Sequence, residues 1–330
     1  MAKRWIRCSN CGQLLLETEF KETVVCPVCG RNFNFQAAVQ EDLMRVSNPE
    51  HFDIRQKPAA NRHIDWILVR YTGRDAVVHI PEMVTVIGDN AFRDNIALEE
   101  LHMTDHVRQI YVGAFQGCDS LSRIHFSAGL TSISNHAFEH CDRLESVILP
   151  AGLKKIFSGA FQNCAALREI YLPDGLETLG DRTFENCTSL EHISIPGHVA
   201  KIAPYTFKKC ASLTSVTLSE GTTLIDSNAF TECDGLTSIT IPASVRIVEK
   251  RAFVNCGNLT DITVLSPETD MREDSVYHCS KVTGNGFHVS GTWKIASRWK
   301  HQHWNCAECL RPYKSNVWIL SQSILRKPES

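Results

Sequence analysis

The sequence lacks any long hydrophobic run. No stretch approaches the roughly 18 consecutive apolar residues of a membrane-spanning helix, so we expect no membrane insertion. The first residues run from charges directly to Cys8, without the apolar core and small-residue cleavage site of a secretory signal. The beginning of the chain therefore predicts a protein that is not secreted by such a signal.

The sequence also lacks a strong charge bias and recognisable catalytic motifs. With 34 basic and 37 acidic residues, the net charge of -3 gives no overall attraction to nucleic acid or membranes. No P-loop, GxSxG, HExxH or GxGxxG pattern is present. We therefore expect no enzyme activity and no small-molecule substrate.

Cysteine is abundant, and its spacing is regular. Of the 14 cysteines, six lie in CxxC pairs and eight recur on a fixed period. A small disulfide-rich secreted protein is shorter and spaces its cysteines irregularly along loops. The pattern predicts reduced thiols and a cytoplasmic location.

The first two CxxC motifs predict a zinc ribbon. Cys8 and Cys11 form one pair, Cys26 and Cys29 form a second pair, and fourteen residues separate the two pairs. Four thiolates complete a closed tetrahedral site, so the expected cofactor is a structural zinc ion in residues 1–35. The alternatives are a redox CxxC motif, which needs no second pair, and two disulfides, which the predicted compartment disfavours.

The largest part of the chain repeats every 23 residues. The repeat carries three apolar columns, namely Phe92, Phe115, Phe138, Phe161, Phe184, Phe207, Phe230 and Phe253; Cys118, Cys141, Cys164, Cys187, Cys210, Cys233, Cys256 and Cys279; and Leu98, Leu121, Leu144, Leu167, Leu190, Leu213, Leu236 and Leu259. In each unit, alternating apolar residues predict a short parallel strand, a Pro-x-x turn follows, and the Ala-Phe-x-x-Cys-x-x-Leu block has helical spacing. Stacked units would bury one continuous core.

The cysteine column has two interpretations. Its members would stack at strand spacing, which falls within the Cα separation that disulfides need, so oxidation is geometrically conceivable. Cysteine is also a small and readily buried side chain, and this column lies beside the phenylalanine column. We favour a core role for the eight thiols.

The repeat resembles the BspA-like leucine-rich-repeat family, whose units read LxxIxIPxxVxxIGxxAFxxCxxL. Thr237–Leu259 is the best-formed unit, and the resemblance covers residues 76–282. It implies a right-handed solenoid of parallel β-strands with short helices, and a role in recognising proteins or glycans. Many members are bacterial surface proteins; an N-terminal ribbon before such repeats is similar to an intracellular bacterial variant. The asparagine column of ordinary leucine-rich repeats is absent here.

These patterns divide the chain into five segments. The predicted boundaries are 1–35 for the zinc ribbon, 36–61 for a polar linker, 62–75 for a cap strand, 76–282 for nine repeats and 283–330 for a tail. The tail is rich in tryptophan, holds seven basic and two acidic residues, and carries the CxxC pair Cys306 and Cys309. That pair resembles half of a second ribbon, so it forms a possible partial metal site.

Function in a solenoid is expected on the outward side of its strands, the concave side in this family, hereafter the strand face. Alternation along each strand places two columns of side chains there. The predicted partner-binding residues are His79, Glu100, His102, Arg123, His125, Glu169, Tyr171 and His192. Imidazoles, aromatic rings and charges are typical of recognition surfaces.

The row formed by His79, His102 and His125 leaves three interpretations open. Adjacent imidazoles can share a metal ion, but the outer two start about 10 Å apart, and Glu100 is the one carboxylate at hand. A pH-sensitive or polar contact ladder and a solvated surface without a role are the other two.

The favoured function is a non-catalytic scaffold that binds a protein partner through the strand face. The alternative is a nucleic-acid-associated regulator that uses the ribbon and the basic tail. Binding that falls steeply with salt would favour the alternative, because each phosphate contact releases counterions.

Overall fold

A computed structural model of the chain describes residues 49–58 and 64–282, together with the strand backbones at 4–7, 14–17, 23–25, 32–34 and 287–289. Within this part, two kinds of structure are present. Small antiparallel hairpins lie at the N-terminal side, and a long array of parallel strands follows.

Two antiparallel hairpins lie in the segment predicted as the ribbon. Their strands are β1 (Arg4–Arg7), β2 (Leu14–Glu17), β3 (Thr23–Val25) and β4 (Asn32–Asn34). β1 pairs with β2, and β3 pairs with β4. In the sequence, Cys8 and Cys11 fall between the first two strands, and Cys26 and Cys29 fall between the second two. The four cysteines themselves lie outside the described residues.

A third hairpin covers the first repeat. A 3-10 helix at Pro49–His51 leads into β5 (Phe52–Pro58), which pairs antiparallel with β6 (Ile64–Tyr71). β5 lies inside the segment predicted as an irregular linker, so that prediction is wrong for these seven residues. β5 is the edge of its sheet, and proline is tolerated at an edge. The predicted cap strand is present as β6.

The long strands of the repeats form one ladder with two interruptions. They are β7 (Val77–His79), β9 (Glu100–His102), β11 (Arg123–His125), β13 (Ser146–Ile148), β15 (Glu169–Tyr171), β17 (His192–Ile195), β19 (Ser215–Leu218), β22 (Ser238–Ile241) and β25 (Asp261–Val264). Strands within a sheet pair in parallel with residue offsets of 23, as in the match of His79 with His102 and of His102 with His125. The predicted solenoid of nine stacked turns is therefore confirmed.

Two further ladders of short strands complete the turns. The second is present in all nine turns, as two sheets, and the third is present only in the last three turns. The second contains β8 (Val86–Ile87), β10 (Gln109–Ile110), β12 (Ser132–Ile133), β14 (Lys155–Ile156), β16 (Thr178–Leu179), β18 (Lys201–Ile202), β20 (Leu224–Ile225), β23 (Ile247–Val248) and β26 (Asp270–Met271). The third contains β21 (Phe230–Thr231), β24 (Phe253–Val254) and β27 (Val276–Tyr277). β6 pairs with β8, so the cap hairpin extends the second ladder.

The Ala-Phe-x-x-Cys-x-x-Leu blocks are not helices, which corrects the prediction from their spacing. They are successions of turns, and in the last three repeats they include the short strands β21, β24 and β27. In the first block, Phe92 N–H donates to the carbonyl of Ala114 in the next repeat, whereas Arg93 N–H donates locally to Asn90. Asn90 and Asp94, two positions before and after the phenylalanine, have φ of 54° and 57°. A right-handed helix cannot contain such left-handed residues, so the backbone bonds to its neighbouring repeat instead.

The core is a stack of aromatic rings. Every phenylalanine of the column is buried, and consecutive rings lie face to face with centroids between 4.9 and 6.0 Å apart. Tyr71 of the cap hairpin continues the stack, with its ring 4.9 Å from that of Phe92. The cap thus closes the N-terminal end of the core with a side chain of the same shape.

The cysteine column is buried and carries free thiols, as the core interpretation predicted. Each thiol also makes a contact that the sequence analysis did not anticipate. Cys118 Sγ donates to the carbonyl of Phe92 at 3.1 Å, and the same bond, with distances of 3.0 to 3.8 Å, recurs in every later repeat. The thiols therefore satisfy a row of buried carbonyls.

The strand ladder continues past the ninth repeat. β28 (Phe287–Val289) pairs in parallel with β25, although it lies in the segment predicted as a tail. The pairing joins Ile262 to Phe287, an offset of 25 residues. Because the repeat period is 23, this strand does not fall on the column positions that identified the others.

Candidate functional site

The strand face is built by alternation. In each long strand the middle residue is buried or packed against the core, and its two neighbours face outward. Of the eight predicted contact residues, Glu100 and His102 are half-buried, and the other six are exposed. All eight therefore share one surface of the solenoid.

Three imidazoles stack along this surface. The ring centroids of His79 and His102 lie 4.3 Å apart, and those of His102 and His125 lie 4.2 Å apart. The interplanar angles are 2° and 11°. Parallel strands in register impose this arrangement, because equivalent side chains leave the backbone at strand spacing and in one direction.

Glu100 joins two of these rings. Its Oε1 atom lies 2.8 Å from Nε2 of His102 and 3.1 Å from Nε2 of His125. Its other oxygen, Oε2, accepts hydrogen bonds from Arg123 Nη2 at 2.7 Å and Nε at 2.9 Å. We call Glu100, His102 and His125 the His–Glu cluster. Arg123 and His79 flank it on either side.

The surroundings of Glu100 and of His102 lower the pKa values of both groups. The hydrogen bond from Arg123 is the largest of the effects that hold the pKa of Glu100 below its usual range. Partial burial lowers the pKa of His102, and the charges of His125 and His79 act in the same direction. Glu100 is therefore ionised and His102 neutral, with a lone pair on the imidazole.

The next repeats present apolar and aromatic surface. Ile148 is 73% exposed and Tyr171 is 57% exposed, and the two are register partners on β13 and β15. The Tyr171 hydroxyl donates to Glu169 Oε2 at 3.0 Å, and Glu169 is paired in register with His192. These four residues form the middle of the strand face, with Ile148 and Tyr171 as its apolar part.

A depression adjoins this apolar part of the strand face. Its volume is about 360 Å³, and Tyr171 forms part of its wall together with the turn that follows β15. The other lining residues are Leu149, Ala151, Leu172, Pro173, Asp174 and Gly175. The wall therefore combines apolar side chains with the turn residues Asp174 and Gly175.

The structure sorts the sequence-predicted residues into two groups. It brings Glu100, His102 and His125 into the His–Glu cluster, with Arg123 bound to Glu100, and it keeps His79 out of the set of converging ligand atoms. Glu169, Tyr171 and His192 form the second group, farther along the strand face. Ile148 was missing from the predicted contact residues, although its column position already placed it between His125 and Tyr171. The six CxxC cysteines, including Cys306 and Cys309, lie outside the described residues.

The comparisons with known proteins agree with the fold. Residues 76–191 and 154–283 match the family described as BspA type leucine rich repeat region, with six copies. Together these matches span more than half of the chain, so the protein belongs to the BspA-type leucine-rich-repeat family. A comparison with the curated proteins gives no match.

Two solved structures of leucine-rich repeat proteins are similar to this chain. A leucine-rich repeat protein from Bacteroides ovatus is 22% identical, with 72% of this chain and 75% of that chain covered and a TM-score of 0.53. A leucine-rich repeat protein from T. pallidum is 27% identical, with 52% of this chain and 81% of that chain covered and a TM-score of 0.49. The B. ovatus likeness supports the repeat solenoid.

Among the described residues, no helix has the length and apolar character needed to cross a bilayer.

Proposed function

We propose that the protein is a non-catalytic scaffold that binds a protein partner through the strand face. The observation that carries this proposal is the exposure of Ile148 and Tyr171 side by side on β13 and β15. A large aliphatic and an aromatic side chain exposed beside a depression are typical of the centre of a binding surface. Imidazoles and charges on either side supply the polar rim.

The strand face from β17 to β25 provides an internal control for the proposed binding surface. From β17 onward the corresponding positions hold Ser194, Thr217, Thr240 and Thr263, which are small hydroxyl residues. A recognition surface confined to the first repeats would be sensitive to substitutions there and tolerant of substitutions at these positions.

The experiment is cross-linked capture of partners from native cells with the full chain and its variants. Replacing Tyr171 or Ile148 with Glu should abolish capture, because a charge would be buried at the centre of the interface. Thr240→Glu on β22 is the matched control and should capture as the unmodified chain does. Phe138→Ala should instead lower the free energy of unfolding by about 3–5 kcal/mol, since it empties a core position.

Two outcomes would contradict the proposal. If Tyr171→Glu and Ile148→Glu capture every partner that the unmodified chain captures, the strand face is not the binding surface. If the captured material is nucleic acid and is lost as salt increases, the protein is a nucleic-acid-associated regulator that uses the N-terminal segment or the basic tail.

We further propose that residues 1–35 hold a structural zinc ion through Cys8, Cys11, Cys26 and Cys29, in a protein of the reducing cytoplasm. The spacing of the two CxxC pairs supports this, and so does the position of each pair between two antiparallel strands. A tight turn between paired strands can present two thiolates to one side. Four thiolates leave no open coordination position, so this zinc would stabilise the fold and take no part in chemistry.

A further inference from the structure

We propose that the His–Glu cluster is a second metal site, which binds a divalent transition-metal ion such as Zn²⁺ at the surface of the solenoid. Its ligands would be Oε1 of Glu100 and Nε2 of both His102 and His125. These three atoms lie within 4.8 Å of one another. Among residues 49–58 and 64–282, this is the one group of three potential ligands that converges in this way.

The distances fit a zinc ion. Zinc bonds to imidazole nitrogen and carboxylate oxygen at about 2.0–2.2 Å, so tetrahedral geometry places neighbouring ligand atoms roughly 3.3 Å apart. The carboxylate oxygen is 2.8 Å from one imidazole nitrogen and 3.1 Å from the other. Each of these two distances needs to open by only a few tenths of an ångström. The rings of His102 and His125, which are parallel within 11°, also need to turn so that their in-plane lone pairs meet at the ion.

The chemistry of the ligand set also suits a transition metal. Two imidazoles and one carboxylate are borderline ligands that zinc accepts readily, whereas calcium and magnesium require oxygen ligands in larger number. Neutral imidazole and ionised carboxylate are the forms that bind a metal. One negative charge on the ligands favours a cation over an anion at this position.

The surroundings hold the ligands in place. Arg123 binds Oε2 of Glu100 through two nitrogens and leaves Oε1 directed at the imidazoles. His79 stacks on His102 at 4.3 Å and lies outside the ligand set. Partners that orient ligands in this way are a regular feature of metal sites. Because the charge of Arg123 offsets that of Glu100, we expect weaker binding than at a four-thiolate site.

Three protein ligands leave the tetrahedral set open at one position. In the chain alone, water would complete the coordination. The cluster is on the exposed strand face, so a carboxylate or imidazole of a docked protein can replace that water. The ion would then link the two proteins, although metal binding itself requires only this chain.

The test is calorimetric titration of Zn²⁺ into the full chain, purified in reducing buffer without added metal or chelator. The unmodified chain is compared with Glu100→Gln, His102→Ala and His125→Ala. The matched control is His106→Ala, which removes an imidazole that faces one carboxylate, Glu82, at 3.5 Å on another part of the surface. All five proteins carry the same cysteines, so thiolate binding contributes equally to each.

We expect one binding step that is present in the unmodified chain and in His106→Ala, and that is weakened at least about tenfold in the three ligand variants. Titration with Co²⁺ should give, for that step, visible absorption without the intense near-ultraviolet band of thiolate coordination. Unchanged melting temperatures would show that the variants are folded. Identical Zn²⁺ titrations for all five proteins would overturn the metal site, and would leave the proposed protein-binding role untouched.

Discussion

Each thiol of the cysteine column has two kinds of neighbour that determine its chemistry. The phenylalanine column lies beside it and excludes water. The carbonyl of a phenylalanine one repeat earlier accepts a hydrogen bond from it. The thiol thus fills the space of a small apolar side chain while satisfying a buried acceptor. This hydrogen bond requires the thiol to remain protonated.

Burial raises the pKa of Cys118 from its ordinary value of 9.0 to about 12. Burial is also the largest cause of the raised pKa values of Cys141, Cys187 and Cys210. A thiol with a higher pKa in the folded chain stabilises the fold fully below the pKa of the unfolded chain. As pH rises above that value, the unfolded state loses the proton first, so this contribution declines until the folded pKa is reached.

We therefore expect the free energy of unfolding to fall as pH rises from about 9 towards 12. Cys118→Ala should be less stable at neutral pH but should lose stability more slowly over this window, by about 1.4 kcal/mol per pH unit for the one thiol removed. Urea unfolding at several pH values measures both slopes. Equal slopes for the two proteins would show that Cys118 ionises alike in the folded and unfolded chains.

At the scale of the element, the turn that carries the phenylalanine is the part of each repeat whose backbone conformation is least common. Two left-handed residues recur in each turn, and they direct alternate backbone N–H groups to the neighbouring repeat. The turn is therefore held by bonds between repeats as well as by bonds within one. It depends on conformations that most side chains disfavour.

Gly159→Ala tests that dependence. Gly159 has φ of 63°, and a Cβ atom there would lie 2.6 Å from the imidazole of His136. We expect a loss of about 1–2 kcal/mol in the free energy of unfolding, because the left-handed conformation is costly for a residue with a Cβ atom. Gly152→Ala is the control, since its added Cβ would meet Ala128 O at 3.3 Å and its φ is not positive. A control loss as large as that of Gly159→Ala would refute the conformational explanation.

The repeat unit shows which features of the fold the sequence could predict. The period and the alternation of apolar residues predicted the strands, the aromatic column and the outward residues, because these depend only on spacing. Spacing also suggested a helix in the phenylalanine block, and that was wrong. The signal against a helix was the frequent Gly, Asn, Asp or His two positions before and after the phenylalanine, as at Gly113 and Asn163. These residue types tolerate the left-handed conformation best.

The candidate site was predictable to a similar degree. Register placed His79, His102 and His125 in a row and Glu100 beside them. The convergence of Glu100 on two of the three rings was not predictable, because it depends on side-chain rotamers that Arg123 selects across the strands. Sequence patterns give the position of a side chain along a strand, but they do not give its torsion angles.

At the scale of the whole molecule, the proposed zinc ribbon and the solenoid differ in what stabilises them. The solenoid has a continuous core of buried residues from Leu68 to Cys279. A module of about 35 residues is too small to bury a comparable core, so its stability would come largely from the metal. The two parts should therefore respond independently to removal of zinc.

Treating the purified, reduced chain with a strong chelator should unfold residues 1–35 and leave the repeats folded. Hydrogen exchange resolved by segment should show loss of protection at Thr23–Val25 and unchanged protection at Ser215–Leu218. Metal analysis before treatment should find about one tightly held zinc per chain. Reduced protein without zinc, or repeats that unfold together with the N-terminal segment, would contradict this prediction.

The spacing of the stacked phenylalanine column also determines how the solenoid would extend under a pulling force. Successive rings lie only 4.9 to 6.0 Å apart along the solenoid, although each step contains 23 residues of chain. Fully extended, 23 residues reach about 80 Å. A pull on one end that peels off a single turn would thus release more than ten times the length that the turn occupied. The solenoid therefore stores contour length, and a load applied along it would be relieved turn by turn, in steps of nearly constant size.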